Sequence, residues 1–194
     1  MLNLALLLFL VMDPFGNLII LNSLLAPVPP AKRRMIIMRE ALFATIILMM
    51  AVFIGGPLLQ MLDLEEYSIR LAGGIVLFLI ALGMLFPSKK IIEEPGTEAP
   101  LIVPIAMPLI AGPSAISMVI LFSEKHPHLT VAIAVLIASA ASAAVLAVSA
   151  GLFSFLGRRG AVALERLMGM LLIMLSVEML LDGIDTYLLS RVLS

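Results

Sequence analysis

Cysteine is absent from this chain of 194 residues, which excludes disulfides and thiolate metal sites. Charge is scarce as well: charged residues make up 13% against a usual ~25%. With 62% hydrophobic residues and a mean hydropathy of +1.20, the chain cannot build a water-soluble surface, so lipid must be its solvent. The net charge of -1 comes without a basic tail or an aromatic-basic platform, so nothing points to nucleic acid. The HExxH, GxSxG and GxGD patterns of metalloproteases, hydrolases and intramembrane aspartyl enzymes are all missing. The N-terminus lacks a basic n-region and a small-residue cleavage site, so the first apolar run reads as a retained helix.

What the chain does have is apolar runs long enough to span a bilayer, about 20 residues each. They fall at roughly Leu2 to Leu25, Met35 to Leu59, Ile69 to Phe86, Leu101 to Phe122, Thr130 to Leu156 and Leu167 to Tyr187. The expectation is an all-α integral membrane protein of six transmembrane helices in a single membrane domain, residues 1–194. Nine of the 12 basic residues, among them Arg33, Lys89 and Arg158, fall in the odd-numbered connections. The positive-inside rule makes those connections cytoplasmic and both termini external, periplasmic in a bacterial inner membrane. The polar stretch from Pro87 to Pro100 is the natural linker, 87–100, between two three-helix halves, 1–86 and 101–194.

Those halves read as repeats. Arg70-Leu71-Ala72-Gly73 resembles Arg166-Leu167-Met168-Gly169 at a separation of 96 residues, and Pro14 aligns with Pro113 at 99. Three helices per copy is an odd number, so the second copy enters the membrane from the opposite side and the repeats are inverted. The first and fourth helices are each interrupted, at Asp13-Pro14-Phe15-Gly16-Asn17 and at Ala111-Gly112-Pro113-Ser114. Proline removes a backbone donor and glycine loosens the helix, freeing polar backbone that survives in a bilayer only when buried in protein or lining a cavity. Matched breaks in two halves are the best sequence pointer to a substrate site at the midplane.

Each break has a physical reading. Asp13 is an N-cap type and Pro14 suits the first helical position, so a half-helix begins there. Its free N–H groups, with those after Gly112, Pro113 and Ser114, would seat a carboxylate. Pro14 and Gly16 shape the turn, while Asn17, Asn22 and Ser114 could add neutral hydrogen bonds. Asp13 could hold an ammonium or a coupling cation, or it could simply cap. Glu178, near the middle of the sixth helix, would cost ~2.5–3.5 kcal/mol if ionised against lipid. It is a proton-relay candidate or a neutral hydrogen-bonding group, with Asp182 four residues further on the same face.

Other features read as structural. The run Ala138-Ser139-Ala140-Ala141-Ser142-Ala143-Ala144 and Gly73-Gly74 allow close helix packing. The 14 methionines are scattered without histidine or cysteine company and read as membrane core. His126-Pro127-His128 reads as a solvated turn, and Arg39-Glu40 as an ion pair or interfacial anchor.

Met12-Asp13-Pro14-Phe15-Gly16-Asn17, the proline-rich segment from Ile102 to Pro113, and Leu164 to Gly169 through Leu181-Asp182-Gly183-Ile184 resemble the signature segments of the MarC family of bacterial inner-membrane proteins. The resemblance covers nearly the whole chain. It implies a six-helix integral membrane protein related to SnatA-type transporters of small neutral amino acids. The chain departs from that pattern at Leu18-Ile19-Ile20, where a second proline is common, and at Glu178, where glutamine is usual.

The function expected is therefore a secondary transporter, an exporter of small neutral amino acids or similar metabolites, with substrate and lipid as its partners. Neither cofactor nor metal is expected beyond a coupling proton or sodium ion at Asp13 or Glu178, and homo-oligomerisation stays open. A passive small-solute channel is the alternative. An intramembrane enzyme using Asp13 and Glu178 as a carboxylate pair ranks last.

Overall fold

A computed structural model describes residues 1–25, 28–86 and 111–192. All regular structure among them is helical: α1 (Leu2–Met12), α2 (Asn17–Leu24), α3 (Pro30–Met61), α4 (Glu66–Leu85), α5 (Pro113–Lys125), α6 (His128–Ala147) and α7 (Ser149–Val192). Four stretches, Lys32–Met61, Glu66–Leu85, His128–Ala147 and Gly151–Val192, are long and apolar enough to cross a membrane, and α1 is a shorter apolar helix. The linker 87–100 and the first part of the expected fourth span, 101–110, lie outside the described residues.

The expected first span is two helices. Asp13 adopts a left-handed conformation, φ 43 and ψ 60, and ends α1 by donating its N–H to the carbonyls of Phe9 and Leu10. Aspartate tolerates this region better than most residues, and Pro14 has no N–H with which to continue the ladder. The end of the chain differs from expectation. In the expected fifth span, Thr130 to Leu156, α6 ends at Ala147, and helix resumes at Ser149 and continues to Val192 with a single non-helical residue, Gly157, at φ 63 and ψ 173. The stretch around Arg158, Arg159 and Arg166 is thus helical rather than a loop. One glycine supplies the left-handed joint, while the arginines, alanines and leucines beyond it are good helix formers.

The helices pack around a core that includes Leu8, Leu48, Leu77, Val119, Val135 and Leu146, each fully buried. Most extensive is the seam between α4 and α7. A Cβ at Gly73 would meet Ser117 and Met179, one at Gly183 would meet Leu71, and one at Gly169 would meet the Ala81 carbonyl and Met84. The two helices therefore run antiparallel, and the glycines let their backbones approach as lipid-borne packing requires. The α6 small residues Ala138, Ser139, Ser142 and Ala143 are buried, and α6 packs on α1 and α3. Outside the core, large apolar side chains such as Met50, Phe53, Leu79 and Met174 are exposed, a surface suited to lipid.

Candidate functional site

At the first break the polar backbone is accounted for by local side chains. Asp13 Oδ1 accepts the Gly16 N–H at 3.0 Å, a local side-chain bond that closes the turn between α1 and α2. Because Gly16 is spent on Asp13, the Met12 carbonyl is left without its helical donor, and Asn17 Nδ2 donates to it at 3.2 Å. The Asn17 N–H returns to the Asp13 carbonyl at 3.2 Å, and Phe9 and Phe15 meet edge-on across the turn at 5.8 Å. Asp13, Pro14 and Gly16 are buried. Gly16 allows no side chain, since a Cβ would strike the Asp13 carboxylate and the Met84 methyl. Asp13, Pro14, Gly16 and Asn17 therefore form one unit, joined on its far side by the C-terminal turn of α4.

The second break is built differently. Gly112 is the N-cap of α5, extended at φ -68 and ψ 164, and Pro113 holds the first helical position; no side chain caps this end. The Gly112 carbonyl accepts from Ile116 at 3.0 Å. Ser114 and Ala115 are buried while Pro113 is exposed. Met12, Ala111 and Ala115 belong to one apolar cluster, and α1 packs against α5.

The two N-termini are thus not equivalent. The first carries the Asp13 carboxylate on its own amide, while the second presents uncapped N–H groups. Asn22 donates to the Leu18 carbonyl of its own helix at 2.9 Å.

Sequence reasoning overlooked a neighbour of Asp13. The Glu165 carboxylate on α7 lies close enough for the two acidic groups to repel. In the sequence Glu165 stands inside the Leu164-to-Gly169 signature segment and just before the Arg166-to-Gly169 repeat segment. Glu178 lies elsewhere, roughly 20 Å further along the same helix at 1.5 Å per residue, so it and Asp13 do not form a carboxylate dyad.

Glu178 is exposed and faces a cleft of about 180 Å³ shared with Arg70, Lys125 and Asp182. Arg70, with 8% of its side chain exposed, bridges α4 and α7 by donating Nη1 to Asp182 Oδ2 at 2.9 Å. It also donates Nε and Nη2 to Glu66. Lys125 Nζ lies 3.9 Å from the same Glu66 oxygen, and Tyr67 meets Tyr187 edge-on nearby on the same helix pair. The expected Arg39–Glu40 ion pair is present at 2.8 Å, with Glu40 fully buried. His126 and His128 turn to different rings, Phe122 and Phe53.

Comparison with known proteins agrees with this anatomy. The family model described as MarC family integral membrane protein matches residues 1–188. The UPF0056 inner membrane protein YhgN of Escherichia coli (strain K12) is 40% identical over 190 residues, covering 95% of each chain. A UPF0056 membrane protein of Buchnera aphidicola subsp. Baizongia pistaciae is 39% identical over 191 residues, 95% of this chain and 96% of its own. One from Chlamydia pneumoniae is 33% identical over 190 residues, 95% of this chain and 94% of its own. No solved structure matches. Motifs, helical anatomy and relatives along nearly the full length agree, and the chain belongs to the MarC family of integral membrane proteins.

Proposed function

We propose that this protein is a secondary transporter, working as an exporter, of small neutral amino acids or similar small metabolites. Six spans in two inverted repeats bring the two breaks together near the membrane centre. The substrate ammonium is received by Asp13, with Glu165 adding negative potential, and its carboxylate by the bare N–H groups of Ser114 and Ala115. The observation that carries this reading is the chemical difference between the breaks: the first holds a buried carboxylate on the turn that leads into α2, and the second opens α5 with no side-chain cap. A zwitterion needs both polarities.

Support for the repeat comes from the α4–α7 seam, where Gly73 and Gly169 each meet the other helix. These are the glycines that a 96-residue repeat makes equivalent. The coupling ion in this reading is a proton or sodium, carried by Asp13 or Glu178. Both termini, Asp63 and Lys125 face the periplasm, and Arg33 and Arg158 the cytoplasm.

The test is flux in proteoliposomes. A transporter saturates with substrate and is stimulated by substrate on the opposite side. A passive channel does neither, and linear flux without trans-stimulation would replace this reading with that one.

A further inference from the structure

We propose that the cleft carrying Glu178 is a second binding site, separate from the breaks, for a small organic molecule bearing a primary ammonium group, with Glu178 as its acceptor. The site lies apart from the seat at the breaks, and its ligand would take the place that the transport reading allows a coupling ion at Glu178. Its walls come from α1, α4, α5 and α7, and its volume is about 180 Å³. That is the space of about six waters at ~30 Å³ each, which limits the ligand to a few heavy atoms.

The charges in the cleft are unequally satisfied. Arg70 is held by Asp182 and Glu66, and Glu66 also faces Lys125. Glu178 alone has no ion-pair or hydrogen-bond partner among the described residues. Counting Arg70, Lys125, Glu66, Asp182 and Glu178 together, the local balance is one negative charge, which resides on Glu178. Two turns or so into a membrane span, a carboxylate is tolerated when it faces water or a cation rather than lipid, and the cleft supplies that opening.

The chemistry of the walls selects the kind of cation. Met118, Leu121, Phe122 and Leu175 give the cleft apolar sides. A hard metal ion needs several oxygen ligands, and no group of three or more metal-ligating side chains occurs among the described residues. An ammonium on a short carbon skeleton satisfies both the carboxylate and the apolar walls. Lys125, about half exposed, and the Arg70 N–H groups not spent on Glu66 and Asp182 offer a second contact to a ligand that also carries a carboxylate.

The experiment is calorimetric titration of purified protein, wild type and Asp13→Asn, with three small probes that differ in charge: ethylamine (ammonium only), alanine (both charges) and propionate (carboxylate only). The Asp13→Asn background isolates the cleft from the break. Ethylamine and alanine should bind and propionate should not. Glu178→Gln should weaken binding about tenfold or more, as expected for a lost charge-assisted contact, and Glu178→Asp should retain most of it. Alanine binding tighter than ethylamine, with the surplus lost in Lys125→Gln, identifies the ligand as a zwitterion; equal binding identifies it as a simple ammonium.

Unchanged thermal melting of Glu178→Gln shows that the fold is intact. Binding of propionate alone, no binding by any probe, or equal affinity in Glu178→Gln would overturn the proposal. Trans-stimulated flux in protein whose binding ignores Glu178 would sink the cleft and spare the transporter. Glu178-dependent binding without such flux would do the reverse.

Discussion

Asp13 and Gly16 are joined by a 3.0 Å bond from backbone amide to carboxylate, and this short link holds the first break open as a turn. The bond satisfies a freed donor where helix hydrogen bonding has lapsed. It also fixes the Asp13 carboxylate inside the protein, where it meets the repulsion of Glu165. Capping needs an oxygen, whereas receiving an ammonium needs the charge. Asp13→Asn keeps the oxygen and removes the charge, so its stability should stay within about 1 kcal/mol of wild type, whereas Asp13→Ala should lose about 0.5–2 kcal/mol with the cap. Thermal or denaturant unfolding in detergent would compare them, and equal losses would mean that the cap contributes nothing.

Gly16 has no room for a methyl group, with the Asp13 carboxylate on one side and the Met84 methyl on the other. Gly16→Ala should therefore destabilise by about 1–3 kcal/mol, the range for overpacking. The double variant with Met84→Ala should recover part of that loss, because Met84 is a flexible obstacle and the carboxylate is not. Unfolding of the two variants measures the recovery. Additive losses would place Met84 away from the site of strain.

Arg70 lies buried between two partly exposed carboxylates, with 8% of its side chain accessible against 36% for Glu66 and 55% for Asp182. Arg70→Met leaves two acids that water can still reach, so the cost should be about 1–2 kcal/mol, below that of breaking a fully buried pair. Asp182→Asn should cost less, about 0–1 kcal/mol, since Glu66 still pairs with the guanidinium. The same melting assay gives the order. A larger loss for Asp182→Asn would mean that the bridge between α4 and α7 stabilises the fold more than the pairing of the buried cation does.

Because the chain lacks cysteine, sidedness can be read from single introduced thiols. His126→Cys, at the turn between α5 and α6, should react with an impermeant reagent in intact cells. Arg158→Cys, beside the Gly157 joint, should react only after permeabilisation. The opposite pattern would invert the orientation.

Much of this architecture was legible in the residues because proline and glycine act locally. Asp13-Pro14 announces a cap and a missing donor without reference to the rest of the fold, and the bond to Gly16 follows. The close approach at Gly73 was legible for the same reason, since small residues are what lipid-borne helices pack with. The electrostatic influence of Glu165 on Asp13 was not, because it depends on how α7 lies against the broken segment, and no periodicity encodes that. The helical stretch after Gly157 was misjudged because three arginines resemble a loop by polarity, although arginine is a good helix former. Which N-terminus stays bare was equally hidden, since it turns on one side-chain bond.

The central claim is that the two breaks form a seat for a small zwitterion that the protein carries across the membrane. Counterflow tests it most directly: proteoliposomes loaded with unlabelled alanine are diluted into a trace of labelled alanine, with wild-type and Asp13→Asn protein compared at equal reconstitution. Transient accumulation of label above equilibrium in wild type, reduced at least about tenfold by loss of one charged contact in Asp13→Asn, is the predicted result. Equal counterflow in the two proteins would contradict the role of Asp13, and absence of counterflow across a panel of small neutral amino acids would contradict the claim as a whole.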